Sequence, residues 1–206
     1  MIQFNHDILN EYLAPNITKF NEFNVEKISD FKEANYWIQN YFLNTLHGRK
    51  YKKEFKHLVM QCIRRTTHSC QLFNETVDLS LDFIKTSNPD NPRSKLYYNI
   101  INNWETTLLN IQMFTDSYNK MQKINSLDKA FKSSDGSPEQ RAYDMANSIK
   151  HCGIKNDDVA IKYGWVPLWI DNKGLVSNDV QLSYIELRQI IIDLAIWTDE
   201  YSNPNK

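Results

Sequence analysis

Between Phe55 and Ile84 apolar side chains return every three or four positions: Phe55, Val59, Cys62, Cys70, Phe73, Val77, Leu81 and Ile84, with Thr66 as the interruption. That interval lays one stripe along one side of an α-helix, so the pattern predicts a helix from Tyr51 to about Thr86. Asn88-Pro89-Asp90-Asn91-Pro92 closes it. Prolines remove backbone donors, and Asn and Asp bond to their own backbone instead. The stripe then resumes as Tyr97, Ile101, Trp104, Leu108, Ile111, Phe114, Tyr118 and Met121, predicting a second helix from about Arg93 to Leu127. Two long helices on either side of a tight turn pack antiparallel.

The flanks read as shorter elements. Phe31, Ala34, Ile38 and Phe42 are spaced for one face of a helix from Ser29–Asp30 to about Leu46, ended by His47-Gly48. Residues 1–28 carry no clear period and Pro15 breaks any helix there, so they read as a short helix, a loop and an arm against the body. After the loop Ser133-Ser134-Asp135-Gly136, Ser137-Pro138-Glu139-Gln140 is a helix start, with a Ser cap, Pro at the first helical position and Gln three residues on. That helix is expected to reach His151 or Cys152, with Gly153 as its cap. Trp165–Ile170 and Leu175–Ser177 flank the turn Asp171-Asn172-Lys173-Gly174 and predict a small β-hairpin. Ser183-Tyr184-Ile185-Glu186 is a capping box opening a last helix to about Tyr201, with Leu187, Ile191, Leu194 and Thr198 inward. The expected fold is all-α: a single domain over 1–206, with an arm (1–28) and a helical bundle (29–201). The bundle holds a long antiparallel helix pair and one small β-hairpin before the last helix.

Composition adds limits. A chain of 206 residues buries roughly 70% of its unfolded surface in one core, so no disulfide or metal staple is required. A net charge of −1 removes any chain-wide attraction to nucleic acid. One local cluster remains: Lys50, Lys52, Lys53, Lys56, Arg64 and Arg65 make one end of the first long helix basic, with Tyr51 and Phe55 among them. Such a cluster suits a phosphate backbone, and it equally suits a solvated helix face. Cys62, Cys70 and Cys152 have no metal-ligand spacing. Cys62 and Cys70 stand about 12 Å apart along a helix, too far to bridge, so reduced thiols of a cytoplasmic protein are expected. No run approaches the ~18 apolar residues of a membrane span, and no membrane partner is expected. Asparagine is abundant throughout, with no pattern.

The chemistry gathers at Arg141 and Asn147-Ser148-Ile149-Lys150-His151. Asn147 and His151 share a helix face at four residues apart. An imidazole titrates near neutrality and can move a proton on or off a ribose hydroxyl. A cation can stabilise charge on phosphorane oxygens, and an amide can orient the substrate. Equally, a cation at a helix C-terminus suits the helix dipole with no chemistry at all. Arg141 with Asn-x-x-Lys-His, then a hairpin and a closing helix with Ser183-x-x-Glu186-Leu187, resembles bacterial HEPN-like proteins of toxin–antitoxin and abortive-infection systems, over roughly residues 50–201. The motif is a degenerate one, because Ala146 stands where the family sets its Arg. The resemblance implies an all-α homodimer that cuts RNA without metal or other cofactor and answers to a cognate antitoxin or another protein. His151 would be the general acid/base, with Lys150 and Arg141 on phosphate and Asn147 orienting. The alternative is a non-catalytic helical module that binds a protein or nucleotide.

Two weaker constellations complete the reading. Arg64 and His68 share one polar face with Glu54, His57, Gln61 and Glu75, read as a solvated or partner-facing strip. Glu54-x-x-His57 is half of a di-iron carboxylate signature, and no second copy occurs in the chain.

Overall fold

Helical periodicity alone accounts for the framework. The computed structural model describes residues 10, 14, 16–29, 34–46, 55–88, 92–132, 134–151, 167–177 and 180–202. Its α-helices are α1 (Ala34–Leu46), α2 (Lys56–Thr86), α3 (Ser94–Asn125), α4 (Pro138–Lys150) and α5 (Tyr184–Ser202). A three-stranded antiparallel sheet precedes α5: β1 (Trp169–Ile170), β2 (Gly174–Ser177) and β3 (Val180–Ser183). The expected start of α1 with Phe31, its His47-Gly48 end, Tyr51 through Glu54, the turn residues 89–91, Cys152, Gly153 and Trp165 all lie outside the described residues. No helix among the described residues is long and apolar enough to cross a membrane.

α2 and α3 form the antiparallel pair. Phe83 meets Tyr97 at 5.6 Å between ring centroids and Phe73 meets Trp104 at 5.5 Å, so numbers rise on one helix as they fall on the other. Of the stripe expected on α3, Tyr97, Ile101, Trp104, Leu108, Ile111, Phe114 and Met121 are buried. α3 ends in the manner of a helix that meets a glycine. Ser126 takes the left-handed conformation (φ 58°), and Leu127 N–H returns to the Gln122 carbonyl at 2.9 Å. α5 crosses the pair with Leu187, Ile191, Leu194 and Thr198 buried, as expected. Thr66, the interruption in the α2 stripe, bonds Thr198 hydroxyl to hydroxyl at 2.8 Å. Each hydroxyl satisfies the other inside the core.

Three expectations need correction. On α1 the inward residues are Trp37, 1% exposed, and half-buried Tyr41, whereas Ile38 (41%) and Phe42 (58%) face out. The two stripes are offset by one residue, and the one carrying the indole has more apolar area to bury. Tyr41 Oη adds a bond to the Lys56 carbonyl at 2.9 Å. On α2, Leu81 is 48% exposed while Ser80 and Phe83 are buried, because the stacked rings of Phe20 and Phe83 (5.6 Å) turn the last turns toward the N-terminal arm. The hairpin is also extended: β3 pairs with β2 (Leu175 opposite Leu182, Val176 opposite Gln181), making a sheet of three strands. Four residues running straight into a capping box carry too short an alternation to stand out.

Asparagine has local work that composition did not show. The arm runs from a short 3₁₀ turn at Ile17–Lys19 to 29 and buries Ile17, Phe20, Phe23 and Ile28. Its backbone finds side-chain partners in place of a neighbouring strand. Asn74 accepts from Ile28 N–H at 2.8 Å and donates to the Ile28 carbonyl at 3.0 Å. Asn172 accepts from Asn21 and Glu22 N–H at 2.9 and 3.1 Å. An amide side chain supplies the same donor and acceptor as a peptide group.

Candidate functional site

α4 begins as its sequence requires. Ser137 Oγ accepts from Gln140 N–H at 3.2 Å, with Pro138 opening the helix. The Gln140 side chain reaches back to Gly136 N–H at 2.7 Å, because Ser137 N–H is already bonded to Asp135 Oδ1 at 2.9 Å. Gly136 sits at φ +71°, a conformation that costs glycine little.

Each residue singled out on α4 can now be placed. Arg141 lies between α4 and the junction of β3 with α5. Its Nη2 lies 2.7 Å from Glu186 Oε1, its Nη1 donates to the Gln181 carbonyl, and its Nε is buried without a partner. Glu186 Oε2 meanwhile accepts from the N–H and hydroxyl of Ser183, each at 2.9 Å, while Glu186 N–H donates to Ser183 Oγ at 3.2 Å. This is the capping box read from the sequence, joined to Arg141 through its free oxygen. Asn147 is half-buried and its Oδ1 accepts from Gln112 of α3. One turn earlier Tyr143 Oη donates to Asp116 at 2.9 Å, so the same face of α4 is bonded to α3 twice. Lys150 and His151 are exposed at the C-terminal end, and the described residues give their side chains no partner. Lys150 and His151 therefore stand together. Arg141 is turned to Glu186 about 15 Å back along the axis, and Asn147 is engaged by α3.

Glu186 carries a pH dependence. Burial raises its pKa, but hydrogen bonds from Arg141 and Ser183 outweigh burial and hold it below the usual carboxylate value. A carboxylate whose pKa is lowered by folding adds stability above its unfolded value, near 4.3, and loses it as pH falls through the folded value. Urea midpoints measured from neutral pH to below pH 4 are expected to fall less steeply with acid in Glu186→Gln than in the wild type. Parallel curves would show that this carboxylate is not coupled to folding.

The basic cluster is only partly described. Lys52 and Lys53 lie outside the described residues; Lys56 is half-buried, Arg64 exposed and Arg65 half-buried. Phe55 is 7% exposed, which leaves no ring face there for a base. Arg65 Nη1 donates to Asn110 Oδ1 at 2.9 Å, and Asn110 Nδ2 lies 3.2 Å from His68 Nδ1. The sequence reading paired Arg64 with His68 and missed Asn110. Its signal was available, since Asn110 is a polar residue flanked on α3 by stripe positions. Among the described residues no group of three His, Cys, Asp or Glu is placed to hold a metal ion. Cys62 and Cys70 are free and buried. Burial pushes the Cys70 thiol up to about 12 and that of Cys62 higher still, so neither supplies a thiolate.

Comparison with known protein families, characterised proteins and solved structures finds no match to this chain.

Proposed function

We propose that this protein is a HEPN-like helical module of bacterial defence or toxin–antitoxin type that works in the cytoplasm by binding a protein or nucleotide, not by cutting RNA. The observation that supports binding over cleavage is the engagement of Arg141. A guanidinium already bonded to Glu186 and to the Gln181 carbonyl has its charge matched by a carboxylate and two of its five donors taken, which leaves it little to offer a phosphorane oxygen. Asn147 has its side-chain oxygen taken by Gln112. What remains at the end of α4 is an exposed ammonium beside an exposed imidazole, suited to meeting an acidic partner surface.

The nuclease reading keeps one observation in its favour: Lys150 and His151 are both open to solvent on adjacent residues. It requires a homodimer, since a composite site forms only across a two-fold axis. RNA incubated with wild type and with His151→Ala, each with and without EDTA, separates the two. The binding module predicts no cleavage by either protein. Cleavage that survives EDTA and disappears in His151→Ala would establish the nuclease instead.

A further inference from the structure

We propose a second site: a phosphate-binding site on the outer face of the α2–α3 pair, built by Arg65, Asn110 and His68 with Arg64 beside them. It is independent of the reading above, because none of its residues belongs to α4.

Asn110 organises it. Its side chain is 2% exposed between the two helices, with the oxygen on Arg65 Nη1 at 2.9 Å and the amide nitrogen on His68 Nδ1 at 3.2 Å. A guanidinium has donors only, so the Asn110 oxygen must face Arg65 and the carboxamide cannot turn over. The amide nitrogen then donates to His68 Nδ1, which puts the ring proton on Nε2. His68 is exposed, and no described residue bonds its Nε2–H. Arg65 contributes a second donor: its Nε is shut away without a partner and Nη1 is on Asn110, while among the described residues none bonds Nη2. Arg64 is exposed one residue earlier and four before His68, on the same side of α2.

The charges around this pair favour an anion. Ion pairs among the described residues join Lys27 to Asp78 and Arg141 to Glu186, and none of these involves Arg64 or Arg65. On α2, His57 and Gln61 share the face without adding an acid, Glu75 comes only about 10 Å beyond His68, and Glu54, about 15 Å before Arg64 in a helix, lies outside the described residues. On α3, Thr106 and Met113 flank Asn110 without charge. A half-buried guanidinium lacking a counter-charge carries a desolvation cost that a bound anion offsets. Phosphate fits the donors best. Its tetrahedral oxygens can take one N–H from a guanidinium and another from the imidazole, where a planar carboxylate is matched by a single guanidinium fork.

The test is a long-range ¹H–¹⁵N spectrum of the histidine rings of the full chain during titration with inorganic phosphate. His68 is expected in the Nε2–H form, and its signals are expected to shift saturably. Arg65→Gln should weaken that binding about tenfold or more. Arg64→Gln, at an exposed position that leaves the fold intact, should weaken it several-fold. A second arm adds a short single-stranded RNA. Displacement of phosphate identifies a phosphodiester backbone as the natural source, and lack of displacement identifies a free phosphate or phosphomonoester. The site is overturned by His68 in the Nδ1–H form, by no saturable shift up to roughly 10 mM phosphate, or by shifts undiminished in both variants.

Discussion

Trp104→Ala is expected to destabilise the protein by about 3–5 kcal/mol. Trp104 is fully buried on α3 and its ring meets aromatic rings from two other elements, α2 and α5. Phe73 of α2 meets it edge-on at 5.5 Å, and Tyr184 at the start of α5 lies 5.7 Å away. Tyr184 in turn meets Phe23 of the N-terminal arm at 5.0 Å. Alanine would leave a void bordered by helices that are long and bonded elsewhere, so collapse around it is limited. Trp104→Phe should cost much less, because the indole Nε1 is buried without a partner and its loss removes an unsatisfied donor. Urea unfolding measures both. A Trp104→Ala midpoint within error of the wild type would mean that α2 and α5 do not pack on this ring.

Gly174→Ala should destabilise at the upper end of the overpacking range, about 3 kcal/mol. A Cβ built on Gly174 would lie 2.1 Å from the Leu182 carbonyl oxygen and 2.7 Å from Ser183 Cα, both backbone atoms of β3. Backbone cannot swing aside as the tip of a side chain can, so β2 and β3 must separate where Gly174 pairs with Ser183. The consequence reaches past the sheet. Ser183 caps α5 through Glu186, and Glu186 holds Arg141, so parting the strands loosens the bond between α4 and α5. Unfolding stability and the protection of the Glu186 backbone amide, which bonds Ser183 Oγ, against hydrogen exchange should fall together in this variant. Stability unchanged to within about 0.5 kcal/mol would show that the close approach does not occur.

Why some features were legible and others were not comes down to sequence separation. The two long helices, the Ser137 start and the Ser183-to-Glu186 box are made by residues three or four apart, and they form as read. The inward residue of α1 was not legible: the 37/41 and 38/42 spacings are both helical, and only the contact surface chooses between them. Arg141, Lys150 and His151 lie on one short helix, and their spacing said nothing of Glu186, which lies 45 residues from Arg141 in the chain. Asn110 reaches Arg65 across the same separation of 45 residues.

By itself the sequence determined which segments are helical, where α4 and α5 begin, and that a stripe of large apolar side chains would bring α2 and α3 together. Those properties follow from periodicity and from hydrogen bonds closed within one turn. Tertiary structure alone decided which polar groups are occupied and which are left open. It turned Arg141 into a tie between α4 and α5, matched Thr66 with Thr198, and set Asn110 between Arg65 and His68. The physical reason is that a buried donor or acceptor must find its partner wherever packing brings one, and packing is settled by the whole chain.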